Sequence, residues 1–337
     1  MQNINAVKLF EDIISEARKI NASDIHIELK EHKVLVRYRV DGALKAGTSF
    51  NINAAQMLIA RIKVLAGMDT SQNRLPQDGR FSTIHGDLRV STIPAIWGEK
   101  VVIRLLNKQN TILKLSELGM VSNDLKKYRT AIKRGQGLIL VTGPTGSGKT
   151  TTLYSSLQEI ISERKNIITI EDPVEYKIET INQVQVNEKA GLTFPVVLRS
   201  ILRQDPDIIL IGEIRDLDTA QIAIRAALTG HLVLATLHTN NAAATITRLI
   251  DMGIPDYLVA SSVKCIIAQR LVPLTAGGRT AIFELLTISE HEQELIKNNA
   301  GEKELEQTAV RKGMKTLSEQ VKTKIKAGII KDESWFN

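Results

Sequence analysis

The chain has 337 residues, 43% hydrophobic and 24% charged, with no run of about 18 uninterrupted apolar residues. That argues against a membrane-spanning segment and leaves room for two domains with separate cores. Forty-four basic against 37 acidic residues give a formal charge of +7, but the basic residues are spread along the chain and only 4% of residues are aromatic, so direct nucleic-acid binding is not expected.

The opening residues carry Glu11 and Asp12 inside an amphipathic pattern rather than a basic-then-apolar signal, so a cytoplasmic protein is expected. Val7, Phe10, Ile13, Ile14, Ala17 and Ile20 have helical spacing. Asp24 to Glu28 and Val34 to Val40 alternate polar and apolar up to an Asp41-Gly42 turn, which predicts half-buried antiparallel strands. Ala54 to Ala66 returns to helical spacing, and strand-like pieces follow at Phe81 to Ile84, Leu88 to Thr92 and Val101 to Leu105. Residues 1–107 thus read as a small α+β domain, with a linker expected at 108–118 after the polar stretch Asn107 to Thr111.

Beyond the linker the pattern changes. Leu138 to Val141, Ile167 to Ile170, Ile208 to Ile211 and Leu232 to Ala235 are continuous apolar runs with helical segments between them, the pattern of a parallel sheet covered on both faces. An α/β core is expected over 119–274 and a mostly helical region over 275–337. The single cysteine, Cys265, lies among Val263, Ile266 and Ile267 and reads as core. It excludes an internal disulfide and any multi-cysteine zinc site.

Gly143-Pro144-Thr145-Gly146-Ser147-Gly148-Lys149-Thr150 matches the whole phosphate-loop pattern, after a buried strand and at the start of a helix that opens with Thr151. That context is what the mechanism needs, because loop amides and a helix N-terminus must face phosphates. Lys149 is expected at the β- and γ-phosphates of ATP and the Thr150 hydroxyl on magnesium. Two acidic segments, Glu171 to Glu175 and Glu213 to Asp216, follow buried strands where the ligand of an open parallel sheet sits, and either can hold magnesium or polarise water. Arg199, Arg203 and Arg215 lie near them in sequence, and His238 follows the run Leu232 to Ala235.

Ile170 to Tyr176 resembles the acidic box of the secretion ATPase superfamily, Leu210 to Asp216 resembles its Walker B segment with glutamate in place of aspartate, and Gly230 to Asn240 resembles its histidine box. The chain is therefore identified as similar to the assembly ATPases of type II secretion, type IV pilus and DNA-competence machines. The resemblance implies a RecA-like P-loop ATPase domain preceded by a PAS-like clamp domain. It implies Glu213, Glu171 and Glu175 as catalytic carboxylates, with Thr150, Glu171 and Glu213 at magnesium, His238 as the histidine-box residue, and Arg199 and Arg203 near the nucleotide. Arg80, Arg89 and Arg104 match first-domain arginines that clamp ATP in the family.

Only Pro273 to Gly277 stands where many relatives carry a four-cysteine excursion, so zinc is not expected. The compact form looks most like Gram-positive competence ATPases. The implied function is an ATP-driven motor, expected as a homohexamer, for pilin or pseudopilin assembly. It would meet the membrane only through an inner-membrane platform protein. The rivals are a retraction motor of the same superfamily, and a non-hydrolysing structural or DNA-binding component. Val184 to Phe194 resembles the assembly branch.

Overall fold

The computed structural model describes residues 6–83, 86–107 and 112–330. Ile84 and the first part of the expected linker, residues 108–111, fall outside these. The chain divides into two compact units, Met1–Asn110 and Thr111–Asn337.

The first unit runs α1 (Ala6–Lys19), β1 (Asp24–Leu29), β2 (Lys33–Val40), β3 (Ala43–Asn51), α2 (Asn53–Leu65), β4 (Gln77–Thr83), β5 (Gly86–Ala95) and β6 (Gly98–Asn107). Its strands form one antiparallel sheet in the order β3-β2-β1-β6-β5-β4. Strand periodicity decides what each face carries. Ile25, Ile27, Val34, Val36, Tyr38, Leu88, Val90, Val101 and Ile103 pack with Phe10, Ile13 and Ile14 of α1 and Leu58 and Ile62 of α2 in one core. The opposite face carries Asp24, His26 and Glu28 of β1 beside Arg37 and Arg39 of β2, as the alternation in the sequence predicts.

The second unit contains α3 (Ser122–Lys133), β7 (Gly137–Thr142), α4 (Lys149–Ile160), β8 (Ile167–Glu171), β9 (Asn182–Gln185), α5 (Phe194–Ile201), β10 (Ile208–Ile211), α6 (Leu217–Leu228), β11 (Leu232–Leu237), α7 (Ala242–Asp251), α8 (Asp256–Ser262), β12 (Val263–Pro273), β13 (Arg279–Thr287), α9 (Glu290–Lys297), α10 (Glu302–Arg311) and α11 (Leu317–Lys326). The sheet order is β13-β12-β7-β11-β10-β8-β9, parallel throughout except for the edge strand β13. The segment expected to be mostly helical from residue 275 onward therefore opens with a strand before its three helices.

Alternate residues of the same strands feed two cores. Leu138, Leu140, Ile209, Ile211, Val233 and Ala235 pack with α5, α6 and α7 on one face. Ile139, Val141, Leu210, Leu232 and Leu234 pack with α3 and α4 on the other. Burial on both faces is why these strands read as continuous apolar runs, and their carboxyl ends deliver the site residues to one edge of the sheet.

Candidate functional site

Strand β7 ends at Thr142, and the chain turns through Gly143 to Gly148 into α4. Gly143 has φ 149°, and a Cβ there would lie 2.4 Å from the Gln269 carbonyl oxygen and 2.6 Å from Ser147 Oγ. Gly148, at φ 89° and capping α4, would place a Cβ 2.7 Å from Gln269 Nε2. No side chain fits either position without displacing a neighbour, so the loop hugs β12. The first amides of α4 lack partners within the helix, as at any helix start, and carry its positive dipole end.

Lys149 folds over the loop, its Nζ donating to the carbonyls of Gly143 at 2.8 Å and Pro144 at 3.1 Å. Burial pushes its pKa down, opposed by the nearby Glu213 carboxylate. Ser147 Oγ is buried with no hydrogen-bond partner, which leaves a polar atom under the loop for a phosphate or water.

Glu213, just beyond β10, is held in a close ion pair by Arg215, with His238 Nε2 3.7 Å from its other oxygen. The turn that carries it is pinned by Thr236, whose hydroxyl donates to the Gly212 carbonyl at 2.6 Å and whose carbonyl accepts from Ile214 N at 2.9 Å. Burial lowers the His238 pKa, and Lys149 and Arg215 lower it further against the pull of Glu213, so the imidazole is neutral at pH 7. Lys149, Glu213, Arg215 and His238 thus form one electrostatic cluster at the phosphate loop.

Glu171 ends β8. It is 3% exposed, and its carboxylate accepts from Tyr154 on α4 in a short contact, from Thr169 Oγ1 at 2.6 Å and from Gln183 Nε2 at 3.2 Å. Those donors occupy both oxygens. Glu171 ties α4 to β8 and β9. The same contacts push the Tyr154 phenol far up, burial first and the carboxylate second. The segment after Glu171 is fixed from β9, with Gln183 accepting from Ile178 N at 2.7 Å and Gln185 from Val174 N at 3.3 Å. Glu175 sits exposed on that pinned segment.

Arg199 and Arg203 stand on α5. Arg199 pairs with Asp218 at 3.3 Å, both side chains more than half exposed, and Arg203 donates to the Arg199 carbonyl at 3.0 Å and to Ser200 Oγ at 3.1 Å. These contacts are local to α5 and the first turn of α6. In the first unit, cross-strand register puts Arg80 opposite Arg89, Arg89 opposite Arg104, Arg104 opposite Asp24 and Asp24 opposite Arg39. Four guanidinium groups share one row with a single carboxylate, Asp24, to which Arg104 donates at 2.9 Å. Like charges directly opposite one another destabilise a sheet, and such a row is suited to a polyanion.

Two residues of β12 escaped the sequence reading. Gln269, 2% exposed, donates from Nε2 to the Ser147 carbonyl at 2.8 Å and accepts from Thr152 Oγ1 at 2.7 Å, clasping the phosphate loop and α4 together. Arg270 donates to the Asn240 carbonyl at 2.9 Å, just past His238. The available signal was a pair of polar residues inside an apolar strand. Among the described residues, no group of three or more His, Cys, Asp or Glu is placed to hold a metal by itself.

The family model of the type II/IV secretion system protein matches residues 2–335. The chain belongs to that family. It is 46% identical over 345 residues to the type II secretion system ATPase E of Vibrio cholerae, covering 89% of this chain and 69% of the relative. It is 45% identical over 350 residues to HxcR, a type II secretion system protein of Pseudomonas aeruginosa, covering 96% and 75%. A protein E of Xanthomonas campestris matches at 44% identity, with 64% of its length covered.

Among solved structures, the pilus retraction motor PilT with bound ADP superposes with TM-score 0.75 at 33% identity, over 96% of this chain and 94% of that one. The Legionella pneumophila ATPase DotB superposes with TM-score 0.81 at 25% identity, over 100% and 96%. Membership and these neighbours make the chain a motor ATPase of the secretion and pilus type with a RecA-like core. No helix among the described residues is long and apolar enough to cross a membrane.

Proposed function

We propose that this chain binds ATP with magnesium at the phosphate loop and hydrolyses it to power pseudopilin or pilin assembly. It would work as a cytoplasmic homohexamer recruited by an inner-membrane platform protein. The observation that carries this reading is the convergence of Lys149, Glu213 and His238 on a loop whose Gly143 and Gly148 leave no room for a Cβ. Curated relatives of the secretion branch at 45–46% identity, against 33% for the retraction motor, favour assembly over retraction.

Amides of the loop and of Thr150 and Thr151 would hold the phosphates, with Lys149 exchanging its carbonyl partners for phosphate oxygens. Thr150 and Glu213 supply the oxygen donors that magnesium prefers, and Ser147 Oγ adds a third polar group at the loop. Magnesium, when bound, neutralises charge on the transferring phosphoryl group. We assign the orientation of water to Glu213, with Glu175 as its acidic-box partner. A neutral His238 can donate one N–H to a γ-phosphate oxygen and so report its presence. The row of Arg80, Arg89 and Arg104 within the first unit is proposed to bind phosphate through its positive charge.

A dilution series tests the reading, with particle mass followed by light scattering and activity by phosphate release. Activity per subunit is expected to rise with concentration and to vanish on chelation of magnesium. Constant activity per subunit from a particle that stays a monomer would overturn the ring motor.

A further inference from the structure

The chain after His238 is clamped from several sides. Thr142, the residue before the phosphate loop, accepts from Thr239 N at 2.8 Å and pairs with Thr239 Oγ1 at 2.7 Å. Arg270 binds the Asn240 carbonyl. Asn241 caps α7 through its side-chain oxygen, and its amide donates to Glu302 Oε1 on α10 at 2.7 Å. Glu284, a buried residue of β13, accepts from Ala242 N at 2.8 Å with one oxygen and from Leu317 N at 3.1 Å with the other. Ala242 and Leu317 are the first residues of α7 and α11. One carboxylate therefore caps two helix N-termini, one directly after the histidine-box strand and one in the C-terminal helices.

We infer that Glu284 is a positioning residue of the nucleotide site, fixing the segment after His238 and tying it to α11. This inference rests on the ATPase reading above. Both of its partners are N–H donors, so only an acceptor on each side satisfies them, and each dipole end favours the negative charge. Movement of His238 on gain or loss of a γ-phosphate strains the Ala242 contact, and the shared carboxylate carries that strain to the start of α11. The C-terminal helices thereby gain a mechanical link to the nucleotide.

Glu284→Gln keeps the shape but turns an amide N–H₂ toward a backbone N–H, breaking one of the two caps. The matched control is Glu292→Gln, which alters an equally buried glutamate on α9 that binds Lys312 and Ser289 away from the site. Both variants are assayed by phosphate release and by amide hydrogen exchange, beside wild type and Lys149→Ala. Glu284→Gln is expected to lower kcat about tenfold with KM within about threefold of wild type, and to speed exchange at the starts of both α7 and α11. Glu292→Gln is expected to lose stability while its kcat holds.

A kcat for Glu284→Gln equal to that of Glu292→Gln overturns the inference alone, because wild-type turnover abolished by Lys149→Ala still upholds the ATPase reading. Wild-type protein without turnover overturns that reading instead. If Glu284→Gln does not fold, Leu317→Pro removes the α11 donor at a first helical position, where proline is tolerated, and Leu317→Ala, which keeps the donor but loses the same buried side chain, is its control. It carries the same expected and contrary results.

Discussion

The two units organise charge in opposite ways. In the second, positive and negative groups interleave at the strand ends: Lys149 near Glu213, Glu213 between Arg215 and His238, and Arg215 within 3.9 Å of Asp172. In the first, Arg80, Arg89 and Arg104 follow one another across three strands before the row reaches Asp24. Interleaved charge is stable without a ligand and is already placed for binding. A like-charged row costs stability and gains it back when an anion arrives. The second unit should therefore govern nucleotide affinity, and the first should act on turnover.

The largest break in that comparison is Lys149→Ala. It is expected to weaken binding of a fluorescent ATP analogue by about a hundredfold or more with an unchanged circular dichroism spectrum, because the lysine meets phosphate rather than core. Wild-type affinity in the folded variant would contradict it. Arg89→Ala and Arg104→Ala are each expected to lower kcat by about tenfold while the analogue's Kd moves by less than about threefold. Equal losses in both quantities would erase the distinction between the units.

Gln269→Glu is smaller again. It sets a carboxylate oxygen against the Ser147 carbonyl and should raise KM by a few-fold, on the order of 1 kcal/mol, at nearly constant kcat. An unchanged KM would show that the clasp does not shape the loop.

The smallest effect concerns pH. His238 titrates below its usual 6.5 in the folded chain, from burial first and Lys149 next. The unfolded chain takes up that proton before the folded one does, so this stabilisation is complete above pH 6.5 and is lost as pH falls toward the folded value. His238→Gln should flatten the fall of Tm between neutral and mildly acid pH. His26 is depressed in the same direction by burial in the first unit, so a slope unchanged by His238→Gln but flattened by His26→Gln would move the effect there.

Much of this was legible before the fold was seen. β7, β8, β10 and β11 announce themselves because both their faces are buried, and the phosphate loop because glycine is forced at Gly143 and Gly148. The edge strand β9 lacks that signature, whereas β13 has both faces buried but carries Glu284 inside its apolar run. The partners of Glu171, Tyr154 and Gln183, are brought together only by the folded sheet. Gln269 meets Ser147 and Thr152 across more than a hundred residues, and Glu284 joins two helices far apart in the chain. No local spacing carries such contacts. Arg199 and Arg203 matched a motif by sequence alone, and the Arg199 contact to Asp218 on α6 is one that spacing does not carry.

The central claim is that the working carboxylates are Glu213 and Glu175 and that Glu171 is a buried tie. The most direct measurement compares Glu171→Gln with Glu213→Gln in one assay of ATP binding and phosphate release. Glu213→Gln is expected to bind ATP normally and lose turnover by about a hundredfold, whereas Glu171→Gln should melt earlier yet keep turnover within about threefold. A folded Glu171→Gln without turnover, beside an active Glu213→Gln, would contradict the account.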